Sequence, residues 1–321
     1  MKYFEVISPG VMSTLQDKGR FGYEDRGVPP SGTMDELSFS LANALVGNPT
    51  NSGAIEFTLT GPKLKLHGNS PCVIAVTGDA LVMLNDVPCA IYQSHQMLPG
   101  DVLTIQRLRT GVRGYLAVAD GFSVKPQLGS VSTLIRARLG GFAGSPLQKN
   151  DHLPLPQKAP QVPHGRRADR IYPQMEKRPF RIIWGPQDNY FDDSARRHFL
   201  SQNYTLSTEC DRMGYRLKGT PLMHTLGFNI ISDAIAHGSI QIPGDGLPII
   251  AMNDRQTTGG YPKIATVIRA DLARLGQLKP GDAIQFEAIS VEKAEEIWRG
   301  RQTMLSNTCE AISRQLLPDA D

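Results

Sequence analysis

Residues 252–262 read Met252-Asn253-Asp254-Arg255-Gln256-Thr257-Thr258-Gly259-Gly260-Tyr261-Pro262. An apolar run from Pro248 to Met252 delivers the backbone into a row of side chains that all hydrogen-bond. Two glycines, an aromatic and a proline follow. A core strand would not carry so many donors and acceptors in succession, because each buried one needs a partner. Adjacent glycines permit positive φ and the close approach of a ligand or a second backbone. The segment is expected to be a strand end that opens into a polar site.

The chemistry that suits Asp254, Arg255, Gln256 and Thr257, with Asn253, Thr258, Gly259 and Gly260 around them, is recognition of an amide-like substrate. A lactam or urea group presents a carbonyl acceptor and an N–H donor. Arginine or threonine donors stabilise charge developing on its oxygen, while a carboxylate or glutamine oxygen receives its N–H. Tyr261 is placed to stack on a flat ring. A hydrogen-bonded turn closing a barrel would use the same residues. Asp211, Arg212, Tyr215 and Arg216 bring alternating charge next to Gly214. They suit a carboxylate or phosphate, since arginine matches planar oxyanions; an ion-paired β-turn is the alternative.

Three other patterns point towards structure. Gln16, Asp17, Lys18, Arg20 and Arg26 lie among Gly19, Gly22, Gly27 and Gly32, without the spacing of a P-loop. They suit a barrel-opening loop or an interface with a partner. Gly129-Ser130-Val131-Ser132-Thr133, with Arg136 and Arg138 beyond, suits a capped turn better than a phosphate site. His67, His95, His152, His164, His198, His224 and His237 form no metal-binding pair, so no metal is assigned. A Gly-x-Ser-x-Gly elbow is missing, which argues against a hydrolase triad on this chain. The Met-Lys-Met of biotin carriers is also missing, so any biotin would arrive on another protein.

The elements that must position these residues are mostly strands. Ile55–Leu59, Leu64–Leu66 and Val102–Ile105 alternate apolar and polar, as half-buried strands do. Cys72–Val76 and Tyr115–Ala119 are nearly continuous apolar runs and imply strands buried on both faces. Short strands with frequent Gly/Pro punctuation imply barrels or sandwiches. Thr33-Met34-Asp35-Glu36 has capping-box spacing ahead of Leu37, Leu41 and Leu45, and Gly47 is placed to end that helix. A second helix is expected over Asp192 to Leu200. A third runs from near Val291 towards Leu317, its apolar stripe carrying Ile297, Met304, Leu305, Ile312 and Leu316.

Prolines at 154, 156, 160, 163, 173 and 179 mark residues 151–180 as a linker or exposed crossover. This divides the chain into an N-terminal β-barrel domain over 1–150, the linker over 151–180, a C-terminal β-barrel domain over 181–290 and a terminal helix over 291–321. The two halves echo each other faintly. Ser13–Lys18 is answered by Ser207–Arg212, Gly22-Tyr23 by Gly214-Tyr215, and Ser52–Ile55 by Ser232–Ile235. Pro71–Val73 is answered by Pro248–Ile250, and Pro99–Asp101 by Pro280–Asp282. Ordered matches of this kind suggest a duplicated β-domain.

At 321 residues the chain has room for two domains, and a net charge of +3 gives no bulk reason to expect a nucleic-acid partner. No apolar stretch is long enough to span a membrane, and the start lacks a signal-peptide pattern. Cys72, Cys89, Cys210 and Cys309 lie far apart and read as thiols of a reducing compartment, so a cytoplasmic protein is expected.

The motifs resemble the biotin-dependent carboxyltransferase family, also called allophanate hydrolase subunit 2. The matching stretches are Ser13–Asp17, Leu45–Asn48, Ala54–Glu56 with Thr60–Pro62, Arg113–Ala119, Gly129–Thr133, Asp211–Leu217 and Asn253–Pro262. Asp120 departs from the pattern, standing where a glycine is expected, and Lys149-Asn150-Asp151 replaces an expected Gly-Asp. The resemblance implies a mainly β fold of two tandem cyclophilin-like β-barrel domains, with a few helices and a C-terminal helix. It implies work in a complex with a B-type partner and, in the 5-oxoprolinase system, an A-type partner as well. There 5-oxo-L-proline is opened to L-glutamate with ATP, whose site is expected at a joint with one of these partners. A carboxyltransferase of the urea carboxylase type, served by carboxybiotin, is the second implication. A regulatory binding protein that antagonises a kinase inhibitor is the third.

Overall fold

Alternating apolar and polar residues set the first sheet. A computed structural model of the chain describes residues 1–168 and 178–315. In it β1 (Tyr3–Ser8), β4 (Lys63–His67), β6 (Ala80–Leu84), β7 (Val87–Cys89), β9 (Val102–Leu108) and β11 (His152–Pro154) pair in the order β11-β1-β4-β9-β6-β7. A second sheet has β2 (Met12–Gln16), β3 (Ala54–Thr58), β5 (Cys72–Thr77), β8 (Ser94–Met97) and β10 (Arg113–Val118) in the order β2-β3-β10-β5-β8. Phe4, Val6, Leu64 and Leu103 from the first sheet meet Ile55, Phe57, Ile74 and Leu116 from the second in one core.

The continuous apolar runs have no exposed face, as expected. Along β5, Ile74 and Val76 enter that core, while Val73 and Ala75 join a second core on the far side. There they meet α1 (Glu36–Leu45), together with Leu305 and Ile312 of α4 (Val291–Ser313). Gly47 turns left-handed after α1 at φ +73, as its position suggested. The N-cap differs from the expected capping box. Asp35 is the cap, its Oδ1 accepting from Leu37 N and Ser38 N at 3.1 Å. A carboxylate one residue before the helix reaches both amides, whereas the Thr33 hydroxyl donates to the Asp35 carbonyl. Tyr115 Oη ties this helix start down, accepting from Asp35 N and donating to the buried Glu56 carboxylate.

The chain divides into two compact units. Unit 1 takes Met1–Arg20, Ser31–Gln174 and the residues from Thr303; unit 2 takes Phe21–Pro30 and Met175–Gln302. The proline-rich stretch is not structureless throughout: β11 pairs with β1, and Arg167 bridges to Gln93. Pro154 closes a short edge strand, where a missing N–H costs little. Pro173, and the Leu316 and Leu317 of the expected terminal helix, lie outside the described residues. No helix among the described residues is long and apolar enough to cross a membrane.

Unit 2 contains β12 (Phe180–Trp184), α2 (Asp193–Ser201), β13 (Tyr204–Cys210), β14 (Gly214–Lys218), β16 (Ser239–Gln241), β17 (Ile249–Ala251), β19 (Lys263–Val267), α3 (Arg269–Leu275), β20 (Ala283–Ile284) and β21 (Phe286–Ala288). Its main sheet runs β20-β13-β14-β17-β16-β19-β12-β21. The two edge strands are separated in sequence by Gln285 alone, so the sheet must curl round until its edges adjoin. The result is a nearly closed barrel. A separate ribbon pairs β15 (Asp233–Ala234) with β18 (Thr258–Gly259). The helix α3 had no sequence signal. It is short and lacks a side-chain cap, and Asp271 and Arg274 point inward with its apolar residues. Arg181 holds Asp271 through Nε at 3.1 Å and its own backbone N–H at 2.9 Å.

The internal echo is structural at one turn. Leu98 N donates to Asp101 Oδ2 at 2.7 Å, and Lys279 N to Asp282 Oδ2 at 2.9 Å. Gly100 and Gly281 sit at φ +97 and +93 and donate to the Leu66 and Leu206 carbonyls. The Gly22–Gly214 echo has no such counterpart, because Tyr215 is a buried strand residue whereas Tyr23 precedes a 3-10 turn, Glu24–Arg26. A Cβ at Gly100 or Gly281 would meet nothing within 4 Å, leaving only backbone strain. Gly100→Ala and Gly281→Ala are each expected to cost about 1–2 kcal/mol. Urea unfolding should return equal penalties if the two turns are equivalent.

Candidate functional site

Register decides what the polar segment meets. Gly214 of β14 faces Ala251 of β17, so the turn before β14 lies against the loop that follows β17. Met252 N donates to the Met213 carbonyl at 3.0 Å and Asp254 N to the Arg212 carbonyl at 2.7 Å. Arg212 then returns two side-chain bonds to Asp254: Nε to Oδ2 at 2.9 Å and Nη2 to Oδ1 at 3.1 Å. Both side chains are under 10% exposed, at 8% and 7%. The two stretches that looked separate in sequence are one buried, bidentate ion pair.

Beyond Asp254 the loop is stitched to the segment around Ile235. Arg255 Nε donates to the Ile235 carbonyl at 2.9 Å, and Ile235 N donates to the Thr257 carbonyl at 3.0 Å. Arg255 is half-buried; burial draws its pKa down while Glu24 and Asp254 oppose that. Gln256 and Thr258 are exposed, Asn253 is buried, and Gly259 and Gly260 are partly covered. Tyr261 keeps 41% of its surface exposed.

Of the second candidate set, Arg212 alone is drawn into this cluster. Asp211 Oδ1 accepts from Met213 N and Gly214 N at 2.7 and 3.2 Å, which braces the β13–β14 turn. Tyr215 is 1% exposed within β14. Arg216 is exposed and lies 3.5 Å from Glu209.

His237 is the residue that sequence reasoning passed over. Its Nε2 is cut off from solvent and has no hydrogen-bond partner among the described residues. Burial first, then the positive charges of Arg255, Arg212 and Arg269, push its imidazole from 6.5 down to about 3. Three guanidinium groups thus act electrostatically to keep this ring neutral. Arg269 is exposed and lies 4.3 Å over the Trp298 ring. The signal available in sequence was the pair His237-Gly238, where Gly238 at φ +86 turns the chain beneath the loop. Such a setting favours an anion and offers donors to a developing negative charge.

In unit 1 the other two motifs meet each other. Asp17 Oδ1 accepts from Ser130 Oγ and Ser132 Oγ at 2.6 Å, and Oδ2 from Val131 N at 2.8 Å. Gly19 N adds a bond at 2.8 Å, so this carboxylate is saturated by its own fold. A cavity of about 220 Å³ nearby is lined by Leu15, Gly53, Asp120, Phe122 and Val131 and includes none of the 253–261 loop.

Residues 26–288 match the family model described as carboxyltransferase domain, subdomain A and B. The chain is similar to the C subunit of 5-oxoprolinase from Haemophilus influenzae, 37% identical over 303 residues, covering 94% of this chain and 96% of that one. It is similar to urea amidolyase of Lachancea kluyveri, 36% identical over 92% of this chain, which is 17% of that protein. The crystal structure of K. lactis urea amidolyase superposes with TM-score 0.89 at 32% identity, covering 99% of this chain and 21% of that one.

Two measurements test the site. Asp254→Ala leaves Arg212 buried without its carboxylate and is expected to cost about 3–5 kcal/mol. The double variant Arg212→Met/Asp254→Leu should recover most of that loss in a denaturant titration. For His237, the unfolded chain takes up a proton as pH falls through 6.5, whereas the folded ring does so only near 3. Its contribution is therefore full above pH 6.5 and fades as pH falls towards 3. The stability advantage of wild type over His237→Gln should shrink between pH 7 and pH 4.5, and the His237 ring signals should not titrate across that range.

Proposed function

The chain belongs to the carboxyltransferase domain family of subdomains A and B, and we propose that it acts as the C subunit of an ATP-dependent 5-oxoprolinase. With its B and A subunits it opens 5-oxo-L-proline to L-glutamate. One observation carries this reading: a histidine whose Nε2 is shut off from solvent, and whose charged form Arg255, Arg212 and Arg269 disfavour, lies beside a glycine-flanked loop rich in amide-binding side chains. The substrate pairs an anionic carboxylate with a lactam, which is what such a setting recognises. The match along 96% of a named 5-oxoprolinase C subunit supports the same reading.

In this mechanism the γ-phosphoryl group of ATP passes to the lactam oxygen, and water then breaks the ring C–N bond. Glutamate, ADP and phosphate result. Arg255 stabilises negative charge on the lactam oxygen as it is phosphorylated, and Gln256, Thr257 and Thr258 receive or donate hydrogen bonds at the ring amide. Arg212 holds Asp254, and with it the loop, at a fixed height, while Asn253, Gly259 and Gly260 shape the floor. Tyr261 stacks on the ring. Asp211 and Tyr215 take part through the strand and turn they stabilise. ATP is assigned to a site shared with one of the partner proteins.

The superposition on a urea amidolyase over 99% of the chain favours a second reading, carboxyl transfer from carboxybiotin to urea. There the same arginine would stabilise the urea oxygen, and biotin would come on another protein. Co-expression with the B and A partners separates the two. ATP-dependent glutamate release that vanishes when this chain is omitted is the expected result. Arg255→Ala should lower that rate by about 100-fold or more, with the fold retained and stability reduced by no more than the about 1 kcal/mol of its bond to the Ile235 carbonyl. Turnover of urea with carboxybiotin, and none of 5-oxoproline, would move the assignment to the second reading.

A further inference from the structure

Beside the polar loop, the pairing of β16 with β19 builds a second cluster that the mechanism above does not use. Gln241 and Lys263 are Cα partners across these antiparallel strands, at the point where the register shifts. Asp233, the partner of the Lys263 ammonium, pairs in the ribbon with Gly259. Lys263 is 2% exposed, yet its ammonium has three donors. Among the described residues Nζ meets one acceptor, Asp233 Oδ2 at 2.8 Å. Gln241 Nε2 is shut off from solvent and makes no hydrogen bond with any described residue. The backbone of Gly259 lies directly over that amide. A Cβ at Gly259 would stand 2.9 Å from Gln241 Nε2 and 2.7 Å from Ile235 Cδ1.

Buried donors with unfilled capacity are unfavourable unless something completes them. The one acceptor supplied here is unlike its surroundings. Asp233 is 52% exposed and belongs to the two-residue ribbon, outside the barrel sheet. The Lys263 hydrogen bond, then the Ala234 N–H, hold its carboxyl below the usual range. An exposed carboxylate on a small ribbon therefore reaches in to neutralise a buried lysine.

We propose that Lys263 and Gln241 form a carboxylate-binding subsite, and that Asp233 occupies it as a built-in stand-in which a ligand carboxylate displaces. The exchange replaces one single negative charge by another, so the buried lysine stays neutralised throughout. The incoming carboxylate has two oxygens, one for the ammonium and one for the Gln241 N–H that the single Asp233 oxygen leaves unfilled. A phosphate dianion would over-compensate the lysine. That the ligand is 5-oxo-L-proline rests on the function proposed above; the subsite itself does not.

Calorimetric titration of the full chain with 5-oxo-L-proline, acetate and 2-pyrrolidinone tests this, the last being the same ring without a carboxylate. Asp233→Asn removes the competitor and should bind both carboxylates about tenfold more tightly, with 2-pyrrolidinone indifferent to the change. Lys263→Met and Gln241→Leu should each weaken carboxylate binding. Ligand-free Asp233→Asn should melt below wild type and regain the difference in acetate. If Asp233→Asn binds carboxylates no better than wild type, or if no carboxylate binds at all, the subsite is refuted, whatever the folding of the other variants. A response to acetate but not to 5-oxo-L-proline keeps the subsite and removes the 5-oxoproline assignment.

Discussion

The C-terminal unit depends on the buried pair between Arg212 and Asp254. Two parallel bonds, reinforced by the Asp254 N–H on the Arg212 carbonyl, fix the exit of β17 against the turn before β14. Desolvating both charges costs about as much as their attraction returns, so the pair adds little net stability. Its effect is positional. A planar guanidinium facing a carboxylate tolerates little rotation, and the loop from Asn253 to Tyr261 inherits that rigidity at its root. Farther on, the bonds between Arg255, Ile235 and Thr257 pass the constraint into the ribbon.

Carboxylates do comparable work in unit 1, with a different end. Asp17 gathers the Ser130–Ser132 turn, and Glu56 joins Tyr115 Oη to Met34 N at 2.7 and 2.9 Å. Each organises its neighbours until its acceptor capacity is filled from within the fold. Around His237 and Gln241, buried nitrogen atoms find no partner among the described residues, although Gln16 Oε1 beside Asp17 is left in the same condition. Both polar motifs of unit 1 pointed towards structure in the sequence, and Asp17 with its serine partners is scaffolding of that kind.

Local pattern made much of the fold legible. Alternation located β3, β4 and β9, unbroken apolar runs located β5 and β10, and Gly47 marked the end of α1. What escaped depends on distant partners. α3 is too short for a period to emerge, and its inward Asp271 disguises it as a surface turn until Arg181 is beside it. Phe21–Pro30 reads as part of the first half, yet groups with unit 2. At the site, the loop itself was visible because its composition is extreme. Its engagement with Arg212 was hidden, since residues 42 positions apart meet only through strand register. Lys263 gave no warning, and His237 only the glycine that follows it, because an isolated lysine or histidine is ordinary until its burial is known.

Electrostatics explains why a chain so close to neutral can still select an anion. A net charge of +3 spread over 321 residues steers little at long range. At physiological salt, exposed charges are screened beyond about 8 Å. What remains is local: Arg212, Arg255 and Arg269 act on His237, and Lys263 acts on Asp233. Of these four cations, Arg212 and Lys263 already hold carboxylates of the chain itself. A site furnished with its own carboxylates is protected from collapse or from stray anions when empty. It binds a ligand by exchange, at a cost far below that of exposing a bare buried cation. Affinity for each anion is then set by how much better it fits than the aspartate it replaces, which makes the resident carboxylate, as much as the cation, a determinant of selectivity.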